Sequence, residues 1–471
     1  MDVIFEGIKM FFDTFSAVVF VPVIMFIINI AFKVKPKKAF VSALSAGVGL
    51  QGFNLVIGAY SPIIEPVINR MVESSGVNLP VYDAGWPNTS VVAYSTQAGM
   101  IFVGLAIALQ VILFLTKFTT IFQAGDLWNN YSYFCWGSML FIITGNMPLA
   151  IFLMVMQMLI TLLITEVIAK RWSTYYGYQG CTIASLHTAT VAIIAIPLNW
   201  ILNKLGLYKI KMDPEGMRKK LGFVGEPMTL GLILGIIIGF VGNVTRLGEL
   251  AAWGEILSCG IATSAVMSVF PKISSIFSGA FTAITEASKK TTKGVKGDWY
   301  LAVNDATGYG ETATLVSGLI TMPIVLALAF VLPGNSTLPM VDLVALPYCI
   351  QPIVAMSNGN VVKSVIGSVI VGVIFLYVCS ACGQTFTDVV AASGGTLGTG
   401  GAMMVTSFII IGQPVGYLTF LIFSTQNPIL IGLLVVVYAV CYVLVRKNKE
   451  KIYDALERQA LNPAGAASAA E

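Results

Sequence analysis

Charge is what this sequence has least of. Of its 471 residues only 11% are Asp, Glu, Lys or Arg, against roughly 25% in a soluble globular domain. A soluble chain of that length would form about three domains, each needing a charged exterior. That exterior is missing, which excludes a soluble enzyme; the apolar bulk and the scarcity of cysteine exclude a disordered chain and a disulfide scaffold. Histidine is scarcer still, with His187 the single copy. No Walker A phosphate loop occurs, so the chain does not hydrolyse ATP. No HExxH motif, no Ser/His/Asp hydrolase signature and no charged stripe of the voltage-sensor kind is present. Two of the seven cysteines fall in Cys379-Ser380-Ala381-Cys382. With no second pair and no histidine beside them, they read as small packing residues rather than redox or metal ligands. The net charge of +4 is modest and no basic patch is interleaved with aromatics, so no nucleic-acid partner is implied. No metal or cofactor is expected.

What is there is apolar. Hydrophobic residues make up 56% of the chain and the mean hydropathy is +0.84. Asp126 and Glu166 enclose 39 uncharged residues, and Asp388 and Arg446 enclose 57. A bilayer core is crossed by about 20 apolar helical residues, so the expected fold is an all-α polytopic membrane protein. The N-terminal run lacks a small-residue cleavage site and reads as a retained first helix. Nineteen of the 27 basic residues fall in four groups, at 33–38, 204–220, 289–296 and 446–458. Positive loops stay in the cytoplasm, which puts the N-terminus outside and the C-terminus inside and requires an odd number of crossings, about eleven. Helices are expected near 14–32, 39–60 and 98–116, with 61–97 lying on or re-entering the outer side. The stretch 127–165 fits two short helices or a crossing plus a re-entrant segment. The Gly-rich run 383–401 is too polar and flexible to span, and irregular backbone at that depth must be buried in protein or line a cavity.

Val81-Tyr82-Asp83-Ala84 recurs as Val303-Asn304-Asp305-Ala306, one copy entered from the outer side and the other from the inner. Such opposed copies are what inverted repeats produce, and inverted repeats place substrate near the midplane. The expected organisation is one transmembrane domain, 1–450, in halves 1–215 and 216–450, followed by a cytoplasmic tail 451–471. Glycines at 231, 235, 239 and 242 mark a close helix–helix contact.

Polar groups inside apolar context are costly and therefore candidates for function. They are Asp83 with Trp86 and Gln97; His187 between Ser185 and Thr188; Glu226, which also suits the start of a helix; Asp305 with Glu311; Asn335 with Asp342 around Pro339; and Asn360 in Ser-Asn-Gly-Asn. Most are amides, hydroxyls and a few acids, a lining suited to a neutral polyhydroxyl solute. An ion-coupled secondary transporter using Glu226, Asp305 or Glu311 is the alternative.

The blocks VYDAGWPNTS (81–90), LGFVGEPMTLGLILGIIIG (221–239) and LPGNSTLPMVDL (332–343) resemble the galactitol-specific enzyme IIC family of the bacterial phosphotransferase system, over about residues 5–450. The resemblance implies kinship with the ascorbate enzyme IIC proteins, whose eleven helices form inverted repeats in elevator-type homodimers with core and dimerisation domains. It implies a cell-membrane permease that binds a polyol and passes it to a cytoplasmic enzyme IIB, itself phosphorylated by enzyme IIA, with no phosphorylated residue of its own. Asp83, Trp86, Pro87, Gly225, Glu226, Pro227, Asp305, Asn335 and Asp342 match the family blocks. The family has His before Thr where this chain has Gly310-Glu311-Thr312-Ala313, and a Pro-His-Gly pattern where it has Ser-Leu-His-Thr, so galactitol, another hexitol and a pentitol all remain open as substrate.

Overall fold

The computed structural model describes residues 17–31, 33–75, 79–123, 127–210, 212, 227–291, 299–393 and 404–462. Glu226 and the Gly-rich residues 394–401 lie outside the described residues. In hydrocarbon a backbone must satisfy its own polar groups, which favours helices, and the described chain is mostly helical. Among the described residues seven helices are long and apolar enough to cross a membrane.

The elements, in chain order, begin with α1 (Ala17–Ala31), α2 (Pro36–Ser75), β1 (Val81–Asp83), α3 (Trp86–Tyr94), α4 (Gln97–Leu115) and β2 (Ile121–Gln123). There follow α5 (Leu127–Thr144), α6 (Met147–Tyr176), β3 (Cys181–Ile183), α7 (Leu186–Ala189), α8 (Ala192–Lys204), α9 (Pro227–Gly242) and α10 (Leu250–Thr291). The remainder is β4 (Tyr300–Val303), α11 (Ala306–Tyr309), α12 (Thr312–Val331), β5 (Thr337–Leu338), α13 (Leu346–Cys349), α14 (Gln351–Met356), α15 (Val361–Ala392), β6 (Met404–Thr406), α16 (Pro414–Ser424) and α17 (Pro428–Leu461).

Several expected boundaries move. The helix expected to end near 60 runs on to Ser75 and carries Pro62 and Pro66. The stretch 127–165 resolves into α5 and α6, parted at Gly145, whose φ is +67°. Asn146 then opens α6, its Oδ1 accepting from Leu149 N at 3.1 Å. Gly383, expected to begin an irregular run, continues α15. Of the C-terminal segment expected from 451, residues 451–461 form the last third of α17, and residues 463–471 lie outside the described residues.

Two packing groups form. In one, α1 lies on α2, α2 on α10, and α10 on α9. The glycine ladder sets the last of these contacts. A Cβ at Gly235 would stand 2.3 Å from Cys259 O, and one at Gly239 2.8 Å from the Ile256 Cα. Only hydrogen fits there, as small-residue helix contacts require. The second group surrounds α5, which is buried continuously from Asn130 to Leu140. Its periphery is apolar: on α17, Ile429 is 78% exposed and Leu433, Val436 and Val437 are also exposed. Polar residues instead turn inward, Asp83, Asp305 and Gln351 each being 0% exposed. That arrangement suits a lipid surround rather than water.

Two three-stranded parallel sheets, with orders β5-β1-β6 and β2-β4-β3, are additions to the all-α expectation. Strands of two to four residues are too short to show the alternation that identifies strands in a sequence. The first copy of the recurring tetrapeptide supplies the central strand β1, and the second begins at Val303, the last residue of the central strand β4. The two neighbours of each central strand come from the other end of the chain.

Candidate functional site

The first sheet ends in a turn built on Asp83. Its Oδ1 accepts from Gly85 N at 3.1 Å and Phe408 N at 2.9 Å. Its Oδ2 accepts from Met340 N and Asp342 N, both at 2.9 Å. Four backbone donors on a buried carboxylate satisfy it completely. Asp342 repeats the device: Oδ1 accepts from Trp86 N at 2.9 Å at the start of α3, and Oδ2 accepts from the Ser407 hydroxyl at 2.5 Å and Ile409 N at 3.3 Å. A carboxylate at a helix start also complements the helix dipole.

The second sheet ends in the equivalent turn, differently furnished. His187 follows β3, whose last residue Ile183 pairs with Val303, as Phe408 follows β6, whose last residue Thr406 pairs with Asp83. Phe408 offers Asp83 a backbone N–H. His187 offers Asp305 its ring: Nε2 lies 2.8 Å from Asp305 Oδ2. The same oxygen accepts from Ser185 Oγ at 3.1 Å and Thr188 Oγ1 at 2.8 Å. His187 Nδ1 lies 2.8 Å from Ser132 Oγ on α5. An ionised carboxylate only accepts, so the Nε2 that faces it carries a proton and donates to Asp305.

The sequence shows no hydrolase motif, yet space brings Ser132, His187 and Asp305 into line. Their polarity is opposite to a hydrolytic triad, in which the carboxylate meets Nδ1 and the serine meets Nε2. Both His187 and Asp305 are fully buried. The arrangement is a hydrogen-bond relay among hydroxyls, an imidazole and an acid, with the chemistry to bind hydroxyl groups. The two turns converge on α5. The Tyr131 ring lies 5.9 Å from that of His187, within electrostatic reach of both Asp342 and Asp305 and beside Thr89.

The structure therefore brings together Asp83 with Asp342, and His187 with Asp305. The other candidates sit at element ends. Trp86 opens α3 and is 39% exposed; Gln97 is the exposed first residue of α4. Glu311 caps α12, accepting from Ala313 N at 3.0 Å and Thr314 N at 2.9 Å. Asn335 holds the turn into β5, donating to Ala329 O at 2.8 Å and Thr337 O at 2.9 Å. Asn360 caps α15, accepting from Lys363 N at 3.0 Å. Among the described residues no three of His, Cys, Asp and Glu cluster as metal ligands do.

Ser132 and Tyr131, together with Gln351 and Gln413, which donate to the main-chain oxygens of Asp305 and His187, are candidate site residues that the sequence alone does not single out. Uncharged and flanked by ordinary helix sequence, they carry no signal apart from the Gln-Pro dipeptide shared by the last two.

A family model described as the sugar-specific permease component of the PTS system matches residues 10–401. The chain is 27% identical over 412 residues to the galactitol-specific EIIC component of the PTS system of Escherichia coli K12, covering 87% of this chain and 89% of that protein. It is likewise 27% identical over 442 residues to a putative permease IIC component of the same organism, covering 93% and 98% respectively.

Proposed function

The chain belongs to the sugar-specific permease components of the phosphotransferase system, a multi-pass membrane family, and on that premise we propose that it carries a polyol such as galactitol into the cell. The observation that carries the substrate class is the Asp305 turn. One carboxylate oxygen gathers two hydroxyls and an imidazole N–H, and a polyol hydroxyl can take the place of any of these donors at little cost in hydrogen bonds. His187 and Asp305 form the heart of the proposed site. Asp83 and Asp342 hold the opposing turn, and Trp86, Gln97, Glu226, Glu311, Asn335 and Asn360 remain proposed contributors at its margins.

The two sheets support a reading as inverted halves, about 1–215 and 216–450. Each runs strand, short helix, long helix and strand in the same order, and each lends its central strand to the other's flanking pair. We place about eleven crossings, an outer N-terminus and an inner C-terminus, as the basic groups require. The α1, α2, α9 and α10 group is the proposed dimerisation scaffold against which the remaining core slides as an elevator. At the inner mouth the polyol oxygen attacks the phosphorus that cytoplasmic enzyme IIB carries on a cysteine sulfur. The S–P bond breaks, the hydroxyl proton passes to solvent, and the sugar phosphate leaves.

Thermal unfolding of the detergent-purified protein tests the reading. Galactitol raises the midpoint of the native protein, since a ligand stabilises only the state it binds, and Asp305→Asn abolishes that rise. A shift that survives intact in Asp305→Asn would remove Asp305 from the site.

A further inference from the structure

Two glutamines reach the His187–Asp305 pair from outside. Gln351 is 0% exposed and donates Nε2 to the main-chain oxygen of Asp305 at 2.5 Å. Its Oε1 accepts from Trp172 Nε1 at 3.0 Å. Gln413, also 0% exposed, donates Nε2 to the main-chain oxygen of His187 at 2.6 Å, and its Oε1 lies 3.4 Å from the Thr190 hydroxyl. Each is followed by proline, Pro352 and Pro414, at the start of a helix. Proline fixes φ and suits a first helical turn, so each amide springs from a stiff base. The two carbonyls they grip belong to the two residues whose side chains meet at 2.8 Å.

We propose that Gln351 and Gln413 are positioning residues that set the separation and orientation of His187 and Asp305, and through them the polyol selectivity of the permease. This rests on the reading of that pair as the substrate site. A primary amide is the side chain that can donate to one carbonyl while accepting from a second group, so it bridges two elements. Gln351 ties the turn after β4 to α6, and Gln413 ties the turn after β3 to the start of α16. The space beside Gln351 is made for it: a Cβ on Gly308 would fall 2.2 Å from Oε1. Because hydroxyl recognition depends on donor direction, a small rotation of either turn alters which hydroxyl stereochemistry is accepted.

The test compares Gln351→Met, Gln413→Met and Gly308→Ala, the last displacing the Gln351 amide without removing it. Gln157→Met serves as the stability control, because Gln157 is equally buried and bonds Gly416 O at 3.2 Å and Thr419 Oγ1 at 3.0 Å rather than either residue of the pair. Binding of galactitol, sorbitol and xylitol is measured by calorimetry beside the unfolding midpoint. The three site variants should lose about tenfold in galactitol affinity, the worth of one well-placed hydrogen bond, with a narrowed ratio between galactitol and sorbitol. Gln157→Met should lower the midpoint and leave affinity and ratio intact. Unaltered ratios in the three variants, with binding lost in Asp305→Asn, would overturn this inference alone. Native-like binding in Asp305→Asn would overturn the site reading and this inference with it.

Discussion

At the scale of single residues, Asp83 and Asp305 show how one tetrapeptide serves two ends. Asp83 is surrounded by backbone N–H groups, which cannot turn to become acceptors. Asp305 is met by hydroxyls and a ring, and a hydroxyl rotates to suit its partner. Asp83→Asn therefore sets an amide N–H₂ against fixed donors and should cost about 2–4 kcal/mol of stability, read as a fall in the denaturation midpoint in detergent. Asp305→Asn should cost about 1 kcal/mol or less, because Ser185 and Thr188 can adapt. Equal losses in the two variants would mean that the turns are alike after all. Both acids were legible in the sequence because a charge stands out in apolar context. Gln351 and Gln413 were not, since an uncharged amide in a helical stretch looks the same whether it packs or positions. The capping role of Glu311 could not be told from a binding role, because both place an acid at a helix start.

At the scale of elements, the glycine spacing of α9 announced a close helix contact but not its partner, α10, and the closeness makes the contact breakable. Gly235→Val forces a side chain into the Cys259 carbonyl, 2.3 Å from the Cβ position, and should destabilise by about 1–3 kcal/mol. Gly58 in α2 has nothing within 4 Å of its would-be Cβ, so Gly58→Ala should be neutral or gain up to about 1 kcal/mol. The strands were illegible for lack of length, and so was the docking of α17. Its last third reaches back to α6, where Glu457 Oε2 meets the buried Arg171 Nη1 at 2.8 Å. Arg171 also donates to Ala355 O and Asn358 Oδ1 at 2.8 and 2.6 Å. Glu457→Gln keeps the shape but leaves the guanidinium uncompensated. Since Glu457 is 17% exposed, the loss should be about 2 kcal/mol, short of the roughly 3–5 of a fully buried pair, and smaller still at high salt. Chemical unfolding at two ionic strengths reads it.

At the scale of the whole molecule, composition already dictated a helical membrane protein, and the proposed orientation rests on the placement of basic residues. If the C-terminus is cytoplasmic, a cysteine introduced as Lys451→Cys, at an exposed position of α17, should react with a membrane-impermeant maleimide in inverted vesicles and resist it in intact cells. Labelling of intact cells would reverse the orientation.

The exchange of strands between the two ends of the chain also governs how the protein comes into being. When Asp83 enters the membrane during synthesis, the backbone donor it will receive from Phe408 is 325 residues from being made. The β2–β3 pair likewise waits for β4. Neither half can close its own sheet, so the nascent first half must sit in the membrane with its polar turn provisionally solvated and then be captured by the second. Two separately expressed halves should be degraded alone and accumulate together, and the permease is assembled as much by mutual rescue as by insertion.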